Sequence, residues 1–322
     1  MRYIIFSAIH KKRLVYDTLY SIMSIFHVNE ENNKFKIIIY TDFASLFYTE
    51  FKKYNFSFIS QIIIEEIDKS IVRNWINNGY VFNIKINVIK SFYDKYNTNA
   101  LFIDSDMLAL RSIIPLYDMI EKKEFVMFHN EGNFIMNASE SIIKNHNAIH
   151  NLLTNNRHLI KTHYLYYRSG ILGINSVYKN ILDNVKMLCD QIYKTSKYRC
   201  SEELAFSFIF QNINNINTAY DYFIHSTDFT RLLASYIFNI YFDNDKNIFS
   251  KLLTYYNLDF CFLNKLDLQY EDIQFFEKTF LLYVSGNKLT FEKSTDEDKY
   301  RKIKERYINN RRTDLIERFN KI

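Results

Sequence analysis

Two acids one residue apart, Asp104 and Asp106, follow the apolar run Ala100-Leu101-Phe102-Ile103 and precede a second run, Met107-Leu108-Ala109-Leu110. A bounded run of this kind reads as a buried strand, and the acids mark its end because an apolar layer does not carry unpartnered charge. On extended backbone, side chains two positions apart share a side, so the spacing predicts that Asp104 and Asp106 converge on one cation while Ser105 turns away. Two hard oxygen ligands at a sheet edge suit Mg²⁺ or Mn²⁺, which keep other positions for water and phosphate oxygens. The same spacing recurs at Asp243/Asp245 and Asp296/Asp298, but in polar or charged surroundings with no strand before it. The plain alternative for Asp104 and Asp106 is a solvated strand end.

Three further stretches carry groups that could do chemistry. In Tyr167-Arg168-Ser169-Gly170-Ile171-Leu172-Gly173-Ile174-Asn175 glycines punctuate a strand, which signals close approach of backbone or ligand. Ser201-Glu202-Glu203 opens a helix, with a capping Ser and acids in the first turn; the simplest role of those acids is to complement the helix dipole. His146 and His150 are four apart, but no acidic or Cys partner is spaced to complete a metal site. Cys189, Cys200 and Cys261 are odd in number and lack paired two-residue spacing, which points to free thiols in a reducing compartment, the cytosol.

The elements that must position these groups alternate. A strand over 3–9 leads to a helix over 15–26, with Val15, Leu19, Ile22, Met23 and Phe26 at helical spacing. A strand over 35–40 ends at Thr41-Asp42, the chain through Tyr54 is helical, and Ser57 to Ile64 make a third strand. Ile84, Val88, Ile89 and Phe92 share one face of a helix that enters the acidic strand, and 124–128 form another strand. Such alternation implies an α/β fold, a mostly parallel sheet covered on both faces. Asp42 and the Asp104/Asp106 pair then stand at strand C-terminal ends, where open α/β sheets bind ligands. The chain of 322 residues, 48% apolar, can bury a sizeable core in one large or two smaller domains. Its 26 Tyr and 29 Phe, with many Ile, Asn and Lys, follow the bias of an AT-rich genome, so no single aromatic is read as functional. No apolar segment reaches the roughly 18 residues needed to cross a bilayer, and the first strand is broken by His10-Lys11-Lys12-Arg13 too soon for a secretory signal.

Taken in order, the Asp-Ser-Asp strand end, the preceding helix with Lys85, the Ser169-Gly170-Ile171-Leu172-Gly173-Ile174-Asn175 strand and the acid-led helix resemble nucleotide-sugar glycosyltransferases of the GT-A fold. They are most similar to the family 8-like group that includes glycogenin and bacterial lipopolysaccharide galactosyltransferases. That group's acidic motif reads (Y/F)-(L/M/I)-D-(A/S)-D, and Phe102-Ile103-Asp104-Ser105-Asp106 match it position for position. The resemblance covers residues 1–221 and implies a Rossmann-like, mostly parallel sheet flanked by helices. It also implies metal-dependent transfer of a sugar from a nucleoside-diphosphate sugar, UDP-linked, to a glycan, lipid-linked or protein acceptor, with retention at the anomeric carbon. Under it Asp104 and Asp106 hold Mn²⁺ (or Mg²⁺), Ser7 and Ala8 line base and ribose with Asp42 nearby, and Lys85 holds the sugar or its phosphate. Ser169 and Gly170 border the donor sugar, and Glu202 or Glu203, with the register open, reaches donor or acceptor.

One departure stands out. The family carries a His, two residues, Gly and then Lys, with the His as third metal ligand. Here Tyr283 occupies the His position, while Gly286 and Lys288 supply the rest. The ion then has fewer protein ligands, or His225 reaches it, or the alignment is displaced by a long 222–280 insertion. Two rivals follow: a sugar nucleotidyltransferase, disfavoured because residues 7–11 have no glycine to cradle a triphosphate, and a non-catalytic carbohydrate-binding or assembly protein on a transferase fold. The chain divides into a core over 1–221, an acceptor-side insertion and return over 222–298, and a basic helical, aromatic C-terminal addition over 299–322. That tail holds nine Lys/Arg against three acids, more excess charge than the +5 of the whole chain. Tyr300, Ile303 and Tyr307, then Leu315, Ile316, Phe319 and Ile322, give it apolar faces. It suits peripheral docking on the anionic inner face of a membrane, or packing on the catalytic domain. No nucleic-acid recognition motif accompanies the charge.

Overall fold

The computed structural model describes residues 2–29, 35–54, 58–76, 79–109, 111–133, 149, 151–152 and 165–225. In chain order these form β1 (Arg2–Ala8), α1 (Arg13–Val28), β2 (Phe35–Thr41), α2 (Ala44–Tyr54), β3 (Ile62–Glu66), α3 (Lys69–Trp75), α4 (Asn83–Tyr96) and β4 (Ala100–Ile103). There follow β5 (Met107–Ala109), α5 (Ile114–Glu121), β6 (Phe125–Asn133), β7 (Leu165–Ile174), α6 (Ile181–Ser196), α7 (Ser201–Ile213), β8 (Ile216–Thr218) and β9 (Phe223–His225).

Seven strands make one sheet in the order β3-β2-β1-β4-β7-β6-β8, and β5 pairs with β9 in a separate two-stranded ladder. The sheet is parallel at β1/β2, β2/β3, β1/β4 and β6/β8, and β7 runs antiparallel to both its neighbours. This is the expected mostly parallel α/β sheet.

Side chains alternate between two cores. Ile4, Phe6, Ile37, Ile39, Leu101 and Ile103 pack against α1, α2 and α5, while Ile5, Ile38, Phe102 and Leu172 pack against α4, α6 and α7. Both faces are covered, which is why the central strands are apolar throughout instead of alternating with polar residues. Gly173 of β7 fits this packing closely: a Cβ there would lie 2.8 Å from Ile120 Cδ1 and from Val126 Cβ.

The structure moves some expected bounds. Residues 59–61 form a 3-10 turn, so the third strand is Ile62–Glu66 and not 57–64. Helices α3, α5 and α6 and the short strands β5, β8 and β9 are additions to the elements expected from the sequence. Tyr283, Gly286, Lys288, the pair His146/His150 and the segments 226–298 and 299–322 lie outside the described residues.

Candidate active site

The acids do not sit on extended backbone. Met107 N donates to Asp104 O at 3.1 Å, closing a tight turn, and Asp104 N donates to Gly170 O at 2.8 Å. The chain must leave the main sheet after Ile103 and enter the β5/β9 ladder at Met107, and the Asp104-Ser105-Asp106 turn makes that change. Ser105 is buried, while the side chains of Asp104 and Asp106 keep 29% and 14% exposure, so both carboxylates still meet solvent at the C-terminal end of β4.

Lys85 of α4 ties this turn to β7 and α7. Its Nζ donates to Asp104 Oδ2 at 2.8 Å, Ser169 Oγ at 2.9 Å and Ser169 O at 3.2 Å, which matches three ammonium protons to three acceptors. Burial acts to lower its pKa, but Asp104, then Glu202 and Glu203, outweigh it and raise the Lys85 pKa, so the group is an ammonium. For Asp104 burial dominates over the pull of Lys85 and raises its carboxyl above the usual range.

The two glutamates separate. Glu202, only 1% exposed, lies 3.8 Å from Lys85 Nζ, and its Oε2 accepts from Tyr80 Oη at 2.6 Å. Burial raises its pKa to about 7 against the lowering effect of Lys85. Tyr80 Oη has one proton and two acceptors within reach, Glu202 Oε2 and Arg199 O at 3.1 Å, and it accepts from Glu202 N at 3.0 Å. Glu203 instead accepts from Tyr166 Oη. Ser201 is not the helix cap: Cys200 holds that position without a side-chain bond, and Ser201 Oγ donates to Tyr198 O at 2.6 Å.

At the end of β1, Ser7 is partly exposed, but Ala8 has no exposed surface and belongs to the core instead of the cleft, its carbonyl accepting from Thr41 Oγ1 at 2.7 Å. Asp42 Oδ1 accepts from the His10 amide at 2.9 Å and holds that residue at φ +76°, a conformation non-glycine residues seldom adopt. Gly170 approaches Met107 closely, since a Cβ there would lie 3.1 Å from the Met107 sulfur.

His225, one of the alternatives offered by the sequence for completing a metal site, is brought to the acidic turn: its Nε2 lies 3.4 Å from Asp106 Oδ1, because β9 pairs with β5 in the register Met107 to His225. Burial lowers the His225 pKa against the pull of Asp104, which favours the neutral imidazole. Arg168 of β7 reaches Glu131 of β6, with Nε 2.5 Å from Oε1. Tyr80 and Arg168 have no local motif that could have flagged them; their partners come from 122 residues away or from the next strand. Among the described residues, no three His, Cys, Asp or Glu side chains are already gathered tightly enough to hold a metal ion.

No protein-family model matches the chain, and no curated protein matches it in sequence. Among solved structures, the chain is similar to the galactosyltransferase LgtC in complex with donor and acceptor sugar analogues, at 13% identity and TM-score 0.47, over 67% of this chain and 73% of that one. It is similar to mouse xyloside xylosyltransferase 1 in its apo form, at 9% identity and TM-score 0.45, over 67% and 84%. It is also similar to a glycosyltransferase involved in glycosylation of the major capsid of PBCV-1, at 11% identity and TM-score 0.39, over 74% and 99%.

Proposed function

We propose that this chain is a divalent-metal-dependent GT-A glycosyltransferase that moves a sugar from a nucleoside-diphosphate sugar, UDP-linked, to a glycan, lipid-linked or protein acceptor with retention. One observation carries the reading: two partly exposed carboxylates in the turn that ends β4, with the buried Lys85 ammonium 2.8 Å from one of them. That cluster lies at the sheet edge where α/β folds take up phosphorylated ligands. The donor chemistry fits Mn²⁺ or Mg²⁺, since two carboxylates leave positions for diphosphate oxygens, and the neutral His225 beside Asp106 adds a nitrogen that Mn²⁺ accepts.

Asp104 and Asp106 would hold the ion, which when bound supplies positive charge to a diphosphate leaving group. Lys85 adds a fixed cation beneath the same region, held in place by Ser169 and kept charged by Asp104 and Glu202. Glu202 is sealed from solvent and serves by positioning Lys85, as does the equally buried Ser169, whereas Glu203 is partly exposed; Gly170 would border the donor sugar through its backbone. Ser7 and the Asp42-braced His10 loop would flank the nucleotide, with Gly286 and Lys288 as phosphate contacts. Free thiols and the basic tail support a cytoplasmic enzyme docked at the inner face of a membrane.

The test is hydrolysis of a panel of nucleotide sugars with Mn²⁺, followed by NMR of the released anomer. At least one donor should turn over, with its anomeric configuration retained. No hydrolysis, together with no thermal stabilisation by Mn²⁺ plus any nucleoside diphosphate, would overturn the reading in favour of a non-catalytic binding protein.

A further inference from the structure

Residues that the proposed sugar transfer leaves unused meet on one face of the β6–β7 ribbon. His129 and Arg168 are directly opposed across the ladder, which places their side chains on the same face, and Glu131 joins Arg168 there. The ribbon runs on past the end of β4. Ile171 pairs with Ile103, and Arg168 stands three residues further along, about 10 Å on. The pair is thus beside the Asp104 turn instead of behind it in the core. Aromatic rings adjoin it: His129 stacks on Tyr220 with centroids 4.2 Å apart, and Phe128 meets His225 edge to face at 6.0 Å.

We infer that Arg168 and Glu131, flanked by the His129–Tyr220 stack, form a subsite that reads the hydroxyls of a neutral sugar ring. The two side chains are 44% and 29% exposed, so both can touch a ligand. A guanidinium offers five donors and a carboxylate about four acceptor positions, so the pair together can both donate to and accept from a ligand. Glu131 cancels the charge of Arg168, which disfavours a phosphate and favours a ligand that both donates and accepts. Vicinal hydroxyls on a pyranose do both, and the ring's C–H face suits an aromatic surface. The location rests on the glycosyltransferase reading; the sugar is the donor's or the acceptor's, and the recognition chemistry is the same.

The variants are Arg168→Gln and Glu131→Gln, with unfolding midpoints recorded to show intact folds. Saturation-transfer NMR with methyl hexopyranosides, without metal or nucleotide, should show binding that each variant weakens roughly tenfold. Kinetics with Mn²⁺ separate the sources. If the sugar is the acceptor's, transfer falls more than donor hydrolysis; if it is the donor's, both fall together and discrimination among donors differing at one hydroxyl flattens. Wild-type behaviour of both variants in NMR and kinetics would overturn the subsite and leave a structural ion pair. A wild-type protein that hydrolyses no nucleotide sugar counts against the reaction, and the NMR comparison still decides the subsite.

Discussion

Lys85 shows how tightly the charges in this cluster depend on one another. Removing it leaves Asp104 and Glu202 facing each other across a buried gap, so Lys85→Ala is expected to cost about 3–5 kcal/mol of stability as well as donor turnover. Urea unfolding checks this, and the double variant with Glu202→Gln should recover part of the loss; an additive double variant would remove the coupling. Glu202 also makes a pH signature. Its folded pKa is raised from 4.5 to about 7, so the folded state binds its proton more tightly, and stability falls as pH rises through that window and levels above it. Unfolding midpoints taken from about pH 5 to about pH 8 should fall less in Glu202→Gln than in wild type, and parallel curves would show that Glu202 is not the group responsible. Asp106→Asn should abolish thermal stabilisation by Mn²⁺ plus UDP while leaving the ligand-free midpoint nearly unchanged, because its neighbour His225 is neutral and both keep some exposure. Asp104, Asp106 and Glu202 were legible as candidates from their places at a strand end and a helix start, and Lys85 and Ser169 from the family resemblance of the stretches that carry them. Their shared contacts were not, since Lys85 meets Ser169 and Tyr80 meets Glu202 only after the sheet is assembled.

The long strands of the main sheet and helices α1, α2, α4 and α7 follow from the sequence, because a sheet covered on both faces leaves continuous apolar runs such as Ile37-Ile38-Ile39. The acidic turn did not, since local spacing cannot tell that β5 belongs to a different ladder from β4. The helical period of α6 is present in Leu182, Val185, Leu188, Cys189 and Ile192, but those residues carry no chemistry that draws attention to them. The glycines of β7 were read as places of close approach, and the structure gives each a partner. Gly173→Ala should cost about 1–3 kcal/mol, because its Cβ would strike the Val126 Cβ, fixed at a strand backbone, as well as Ile120. Gly170→Ala should cost less, since it meets the end of a flexible Met107 side chain. Chemical denaturation of both variants checks the order, and a reversed order would mean that the β4–β5 turn is the stiffer of the two contacts.

At the scale of the whole chain, charge is separated along the sequence. The chain carries +5 overall and residues 299–322 carry nine Lys/Arg against three acids, so the preceding part is close to neutral. Among the described residues no helix is long and apolar enough to cross a membrane. Each Lys or Arg near an anionic leaflet contributes about 1 kcal/mol, and the tail's net charge is enough for binding at moderate ionic strength that fades as salt rises. Apolar residues interleaved at helical spacing, Tyr300, Ile303 and Tyr307 and then Leu315, Ile316 and Phe319, would add a hydrophobic contact that survives salt. A tail that packs on the catalytic domain instead would bury the same apolar residues and contribute to stability. Co-sedimentation with anionic and neutral vesicles separates the two. The full chain should pellet with anionic vesicles and not with neutral ones, a protein ending before Lys299 should stay in solution, and the two should share an unfolding midpoint. Equal binding by the truncated protein, or a lowered midpoint without any vesicle binding by the full chain, would assign the basic segment to the fold and not to a membrane.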